Sequence, residues 1–506
     1  MRTAAPQQRR MALLVLAAVA ALSLVAAAVN AAFGGGDEPP TLAAASIAPS
    51  NTLVFLDVST DPEREGVERA TELLGRLGSY EPQRDALLKR LSGGDRAVNV
   101  ERDVSPWMGD EAALALTESG TATAGSLILI EVDDEEKARA FLARNPTKPA
   151  RNEYKDEVVE RYGQVSVAFK DGWMLVGQDP TVQAALDRAN GRGRTLAQEP
   201  AFRRATRDLP EGRVVTAFTS AAGLQRLLIP QGGVTGGLAG FLNQPAMEAV
   251  GVSVEAREEG ARILVRTAFG RGAPERREFE PSLLGDVPEG ALAYFGVQGI
   301  SSALGNLVGQ AAGNAGTVLG RLRDELKGEV ALIMERETPA PILSVVTKTD
   351  DEARTRRTLG GLEAPLAKLV TPRGGKAPAW QREDVGGGVQ ARTLRLETGA
   401  ALSYAVFDER LVVSTSPAGI RRIREADGAL EDADTFEAVL ADRPEKVSSL
   451  GFLDFSQLLE LGEQTGLNDS RAYLAAREDL KRIRAVGISS SGDGDQSTAE
   501  ILLSIP

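Results

Sequence analysis

In 506 residues the chain has no cysteine and no histidine. The lack of cysteine excludes a disulfide framework, thiolate nucleophiles and a lipid-modified cysteine at the N-terminus. Without histidine there is no Ser-His-Asp triad, and with both missing there is no zinc site of the usual kind. Nothing titrates near neutrality unless its surroundings move it there. Any catalysis falls to carboxylates, lysine, tyrosine or hydroxyls. Of the motifs that organise such groups, the sequence has no S-x-x-K dyad, no G-x-S-x-G elbow and no G-x-x-x-x-G-K-[ST] phosphate loop. Basic charge is also short: 58 Lys and Arg against 71 Asp and Glu give a net charge of −13. With no Lys/Arg-rich run to offset it, a nucleic-acid partner is not expected. The reading is non-enzymatic, with no catalytic, cofactor-binding or metal-ligating residue assigned and no cofactor.

What is present begins with a compartment signal. Arg2, Arg9 and Arg10 precede MALLVLAAVAALSLVAAAVNAA (residues 11–32), which carries no charge. As a helix this segment spans about 33 Å, the thickness of a bilayer's hydrocarbon layer. Arginines before it and Asp37 and Glu38 after it predict an N-terminus inside and a body outside the cytoplasmic membrane. A cleaved signal peptide is the alternative, because Val29 and Ala31 fit a small-residue cleavage site and would make the product secreted. Residues 33–47, rich in Gly, Pro and Ala, read as a flexible tether.

Beyond the tether the chain repeats itself. FKDGWMLVGQDPTVQAAL (169–186) is echoed by FDERLVVSTSPAGIRRI (407–423), and APSNTLVFLDV (48–58) by VPEGALAYFGV (287–297). WMGDEAALAL (107–116) is echoed by LKGEVALIME (326–335), and AVGVSVEAREEGARILVRTAF (249–269) by AVGISSSGDGDQSTAEILLSI (485–505). The order is kept throughout. Two tandem homologous domains are expected, at 48–270 and 284–506, joined by a linker at 271–283.

Period-two stretches such as VSVAFKD place Val165, Val167 and Phe169 opposite Ser166 and Lys170. A helical period links Leu359, Leu362, Leu366 and Leu369, and also Ala138, Phe141 and Leu142. Each copy reads as strand, long helix, two strands, helix, a strand pair, helices, strand, helix and a closing hairpin. The predicted fold is α+β with mainly antiparallel sheets behind an N-terminal transmembrane helix.

Several stretches invite chemistry and have plainer readings. VDDEE (132–136) and TDDE (349–352) pair carboxylates, but both stand where a strand hands over to a helix, where acids cap the first turn. Asp179-Pro180 and Ser416-Pro417 read as N-cap followed by N1. SGDGDQS (491–497) starts like a calcium loop but has Thr498 and Ser504 where that loop needs Gly and Glu, so a hairpin turn is expected. The uncharged glycine-rich stretches 227–247 and 299–320 suggest either mobile loops or small-residue packing against a helix or bilayer.

The P-x-x-T-L-V-F-L-D-V opening at Pro49–Val58, the W-M-G-D-E-A-A-L-A-L segment and the N-terminal anchor together resemble the bacterial family called domain of unknown function 3352 (DUF3352). That resemblance implies an exported or membrane-anchored protein and carries over no catalytic or binding residue. In the second copy Leu326 stands in place of Trp107 while Gly109 persists as Gly328, which points to packing. The expected function is a non-enzymatic binding or scaffolding module of the cell envelope, with an envelope protein or lipid as partner. The alternative is a carrier of a lipid or other apolar ligand, and a carboxylate-dependent hydrolase comes last.

Overall fold

A computed structural model describes residues 40–77, 100–118, 125–144, 148–231, 244, 246–273, 276–299, 326, 328–338, 340–371, 375–396, 401–426 and 428–506. The expected membrane segment 11–32 lies outside these, as does most of both glycine-rich stretches. Among the described residues no helix is long and apolar enough to cross a membrane. The chain divides into two compact units, residues 1–274 with 494–498 and residues 275–493 with 499–506.

The first unit runs β1 (Thr52–Ser59), α1 (Glu65–Gly75), β2 (Met108–Thr117), β3 (Gly125–Val132), α2 (Glu135–Ala143), β4 (Ala150–Tyr154), β5 (Glu157–Tyr162), β6 (Val165–Lys170), β7 (Trp173–Gly177), α3 (Asp179–Ala189), α4 (Pro200–Ala205), β8 (Arg213–Ser220), β9 (Met247–Arg257) and β10 (Gly260–Phe269). Its sheet is antiparallel at every pairing, in the order β4-β5-β6-β7-β3-β2-β1-β8-β9-β10. On one face Phe55, Leu127, Leu129 and Leu175 pack with Val182 and Leu186 of α3 and Phe202 of α4. Phe202 meets Phe55 and Phe218 edge-on, with centroids 5.9 and 5.1 Å apart. On the other face Ala138, Phe141 and Leu142 of α2 cover Val167 and Met174, beside Trp107. Trp107 donates to the Asp103 carbonyl at 2.8 Å and packs on Phe141, which is a packing role.

The second unit runs β11 (Ala291–Gln298), β12 (Glu329–Glu335), β13 (Ile342–Lys348), α5 (Glu352–Leu369), β14 (Trp380–Asp384), β15 (Gln390–Arg395), β16 (Ala401–Phe407), β17 (Arg410–Ser414), α6 (Pro417–Arg424), α7 (Asp434–Leu440), β18 (Ser449–Asp454), α8 (Phe455–Gln464), β19 (Ala485–Asp493) and β20 (Gln496–Ser504). Its order is β14-β15-β16-β17-β13-β12-β11-β18-β19-β20, the first unit's order element for element. One face is the core of Tyr294, Ile333, Val346, Phe452, Ile420, Ile423 and Phe436. Each fully buried large side chain there contributes roughly 1.5–3 kcal/mol. On the other face Leu359 and Leu362 of α5 cover Tyr404, Val406 and Leu411.

Three local expectations need correction. Four strands, not a strand pair, lie between α2 and α3; the extra hairpin β4–β5 escapes notice because β4 is exposed and both strands are charged (ARNEY, EVVERY) with little apolar alternation. Its turn, Lys155-Asp156, takes two positive φ angles (50° and 71°) without glycine, so it gives no turn signal in sequence. Strand β6 is covered on both faces: Ser166 is buried while Val165 is 44% exposed. Finally, Asp179 is the first helical residue of α3 rather than its cap. Its carboxylate accepts from Ser166 and Arg161, which explains the buried serine. In the second unit Ser416 does cap α6, accepting from Ala418 N at 3.2 Å.

The outer hairpin is tied to the preceding helix by an ion pair in each unit, with the charges exchanged. Glu160 of β5 faces Arg139 of α2 at 3.7 Å and Arg151 at 3.1 Å. Arg392 of β15 holds Glu363 of α5 through two bonds of 2.7 and 2.6 Å. Glu160 and Arg392 stand at the same register position, opposite Val167 and Tyr404.

Candidate functional site

The acidic motifs are helix starts. Asp134 accepts from Lys137 N at 3.0 Å and Asp351 from Arg354 N at 2.9 Å, so each caps its first turn. The calcium-like stretch forms the turn between β19 and β20 around Gly494, whose φ is 54°. Among the described residues no group of acidic side chains is arranged to hold a metal ion.

The structure brings forward carboxylates that the motifs did not. Glu111 of β2 is 5% exposed and accepts from the backbone of Ala43 at 2.9 Å and Ala44 at 2.7 Å. Those amides open the 3-10 turn Ala43–Ser46, which has no side-chain cap of its own. A strand residue thus satisfies free donors of a turn 67 positions away. Glu329 of β12 does the same in the second unit. It accepts from Ser282 N (3.1 Å), Leu283 N (3.0 Å) and the Ser282 hydroxyl, just ahead of the turn Leu284–Asp286. Register equates the two acids: Glu111 pairs with Ser59 at the end of β1, and Glu329 with Gln298 at the end of β11.

The neighbour of this clasp differs between units. In the first it is Asp57, 1% exposed, with one carboxyl oxygen lacking a partner among the described residues. Burial, then the charge of Glu111 and a hydrogen bond with it, hold Asp57 well above the usual carboxylate range, against the pull of Arg213. An upward-shifted acid beside a second carboxyl resembles the layout of general acid–base catalysis. Here both are sealed from solvent, so the pair braces the fold. In the second unit the Asp57 position is Gly296, where a Cβ would collide with the hydroxyl of Tyr294. Tyr294 replaces Phe55, and its hydroxyl is buried without a partner among the described residues. Tyr294→Phe is therefore expected to stabilise the protein by about 1 kcal/mol, because an unsatisfied buried hydroxyl is removed. Thermal unfolding checks this, and a drop in melting temperature would contradict it.

The larger difference is on the opposite face. In the first unit Leu56, Leu114 and Ile128 form a row across β1, β2 and β3. Leu227, in the helical segment Leu224–Leu228 after β8, packs on this row and leaves Leu114 5% exposed. The equivalent row in the second unit is Phe295, Leu332 and Val345. Phe295 is 41% and Leu332 40% exposed, and Leu343, one pair further along β13, is 47% exposed. Helix α5 covers β16 and β17 on one side, while α8 packs on β11, β18 and β19 on the other. Among the described residues nothing is seen to cover the apolar stripe between them. Past its end stands Arg336, which continues the Leu332–Met334 side of the strand and reaches the Gln457 carbonyl (3.3 Å) and the Glu460 carboxylate (2.9 Å) of α8. Arg336 also lines a 430 Å³ cavity with Arg421, Arg422 and the buried Glu335. Burial holds Glu335 above the usual carboxylate range, against the pull of Arg422. Sequence alternation could not find the stripe, since VFLDV and its counterpart AYFGV are equally apolar.

Comparison with other proteins adds little about function. No curated protein matches the chain. Among solved structures, crystal form III of TP0453 is similar over 46% of this chain and 81% of its own, at 12% identity and a TM-score of 0.28. Crystal form I of TP0453 gives 46% and 80%, at 10% identity and 0.28. A family profile, by contrast, matches nearly the full length. The chain belongs to the family described as "Protein of unknown function (DUF3352)", matched over residues 11–505.

Proposed function

We propose that the protein is an extracytoplasmic binding module, held at the cytoplasmic membrane by residues 11–32, that takes a single apolar chain on the open stripe of its second unit. The observation that carries this reading is the contrast between Leu332, 40% exposed, and its register equivalent Leu114, 5% exposed. A contiguous apolar patch left open where its counterpart is sealed marks a binding surface. The matching strand order and the paired Glu111 and Glu329 clasps support descent of both units from one duplicated domain. The first unit then keeps the sealed form and the second the receptive one. The lack of histidine and cysteine, and the sealing of the Asp57–Glu111 pair, favour binding over catalysis.

The full chain, purified from membranes and extracted with organic solvent, is expected to yield close to one acyl-chain lipid per protein by mass spectrometry. Leu332→Lys, which puts a charge on the stripe, is expected to lower that yield at least fivefold. A wild-type extract free of lipid would overturn the reading. In spheroplasts, external protease is expected to digest the body while the chain stays with the membrane pellet; an intact chain in the cytosolic fraction would refute the placement.

A further inference from the structure

Helices α2 and α5 start alike, capped by Asp134 and Asp351, but α2 has 9 residues and α5 has 18. The second half of α5 lies on the outer hairpin of its own sheet. Leu362 is fully buried, and Leu366 packs with Trp380 against the same cluster. Glu363 holds Arg392 through two bonds, and its carbonyl accepts from Trp380 Nε1 at 2.8 Å. Register carries this floor to the first unit: Arg392 corresponds to Glu160, Leu394 to Tyr162 and Leu402 to Val165. Leu394 is fully buried and Leu402 half-buried, whereas Tyr162 is half-buried and Val165 is 44% exposed. Val165 and Val158 are the large apolar side chains that the first unit exposes among the described residues, and both stand on this face. A cavity of 490 Å³ opens over it, lined by Leu142, Lys148, Pro149, Glu160 and Tyr162. We infer that the place of the second half of α5 is taken in the first unit by a helix of another protein. That helix sets leucines four residues apart on the sheet and an acidic residue against Lys148.

This site belongs to the first unit alone and does not depend on the stripe of the second. The second unit supplies the template: with the same strand order and cap, its floor receives a helix through Leu362 and Leu366. Anchors at i and i+4 are how an amphipathic helix fills a groove. The segment after α2 does not supply that helix. Ala143 ends α2 and Ala150 opens β4, so six residues join them, fewer than the second half of α5 alone. Charge sets the polar contact. Glu160 holds Arg151 at 3.1 Å and Arg139 at 3.7 Å and accepts from Tyr162 at 3.0 Å, and Arg139 also pairs with Glu135. Those charges are matched. Lys148 is exposed on the cavity and forms no ion pair among the described residues, so it is the charge left for the occupant.

The test uses the full chain in lipid nanodiscs and two stapled helical peptides. Each peptide carries a photoreactive leucine and a plain leucine four positions on; glutamates flank the pair in one and lysines in the other. Photoreactive dodecanol is the third probe, and labelled segments are mapped after digestion. The glutamate peptide is expected to label β5–β6 and to bind roughly fivefold more tightly than the lysine peptide, the upper range for one exposed ion pair. Lys148→Glu is expected to reverse that preference, and Val165→Lys to abolish labelling of the hairpin by both peptides. Both side chains are exposed, so the two variants are expected to melt with wild type. Equal binding of the two peptides would overturn the acidic contact. Dodecanol labelling of β5–β6 as strong as that by the glutamate peptide would overturn the helical occupant. With photoreactive leucine placed at Val165, an adduct between two copies of the chain would assign the face to self-association and overturn a foreign partner. No labelling of β5–β6 by either peptide would overturn the whole inference and leave the stripe on β11–β13 untouched.

Discussion

Replacing Glu329 with alanine is expected to lower the melting temperature by roughly 6–12 °C. Two backbone amides and a hydroxyl, at Ser282 and Leu283, depend on this one carboxylate, which is 7% exposed. Removing a buried acceptor leaves its donors desolvated, at about 1–3 kcal/mol for each group left unpaired. These penalties do not add fully, so about 3 kcal/mol is expected for the variant. For a unit of some 200 residues, 1 kcal/mol moves the midpoint by about 2–4 °C. Glu329→Gln keeps an acceptor and is expected to fall between the two. Glu111→Ala leaves the amides of Ala43 and Ala44 and the Asp57 carboxyl without their partner and is expected to cost a similar amount. Scanning calorimetry reads all three, and a Glu329→Ala midpoint within about 2 °C of wild type would refute the clasp's role.

The second large effect is a pH dependence centred on Asp57. The groups that bear on it are Glu111 and Glu131, which raise its pKa, and Arg213, which lowers it. Because its folded pKa lies above the unfolded value of about 3.9, the native state holds a proton that the unfolded chain has released. Stability therefore falls as pH rises from about 4 through the raised native value, and the loss is complete above it. Each tenfold bias between the two protonation states is worth about 1.4 kcal/mol. Asp57→Asn keeps a donor toward Glu111 and cannot ionise. The variant is expected to match wild type near pH 4 and to be more stable than wild type at pH 7 and at pH 9. Urea unfolding at the three pH values measures the difference. A gap that stays constant, or that closes as pH rises, would show that Asp57 does not titrate with folding.

How far the sequence foretold this molecule depends on where each signal resides. The echo between 169–186 and 407–423 falls on the same hairpin and helix, β6–β7–α3 and β16–β17–α6, because turn and cap instructions are local. The capping roles of Asp134 and Asp351 were legible for the same reason. Antiparallel pairing was legible from closely spaced strands. The hairpin β4–β5 was not, since its strands are charged with little apolar alternation and its turn lacks glycine. Nor was the clasp, because Glu329 meets donors 46 and 47 positions away. An acid within GDEAALAL or at the head of EVALIME was visible, but its partners were not. The stripe was the least legible, since exposure of Leu332 depends on what another segment fails to cover.

The exchanged ion pairs bear on how such a chain avoids misassembly. Tandem units of like topology risk trading elements during synthesis, when the first helix emerges beside unfinished strands of the second. If α5 docked on the first sheet, Glu363 would confront Glu160; if α2 docked on the second, Arg139 would stand where Arg356 stands, each of them following its cap by five residues, and Arg392 would lack its acid. Each wrong docking leaves a charge unmatched, while each right one joins opposite charges. A pairing rule is thereby written into the hairpin, and reversing the Arg392–Glu363 pair alone would remove it.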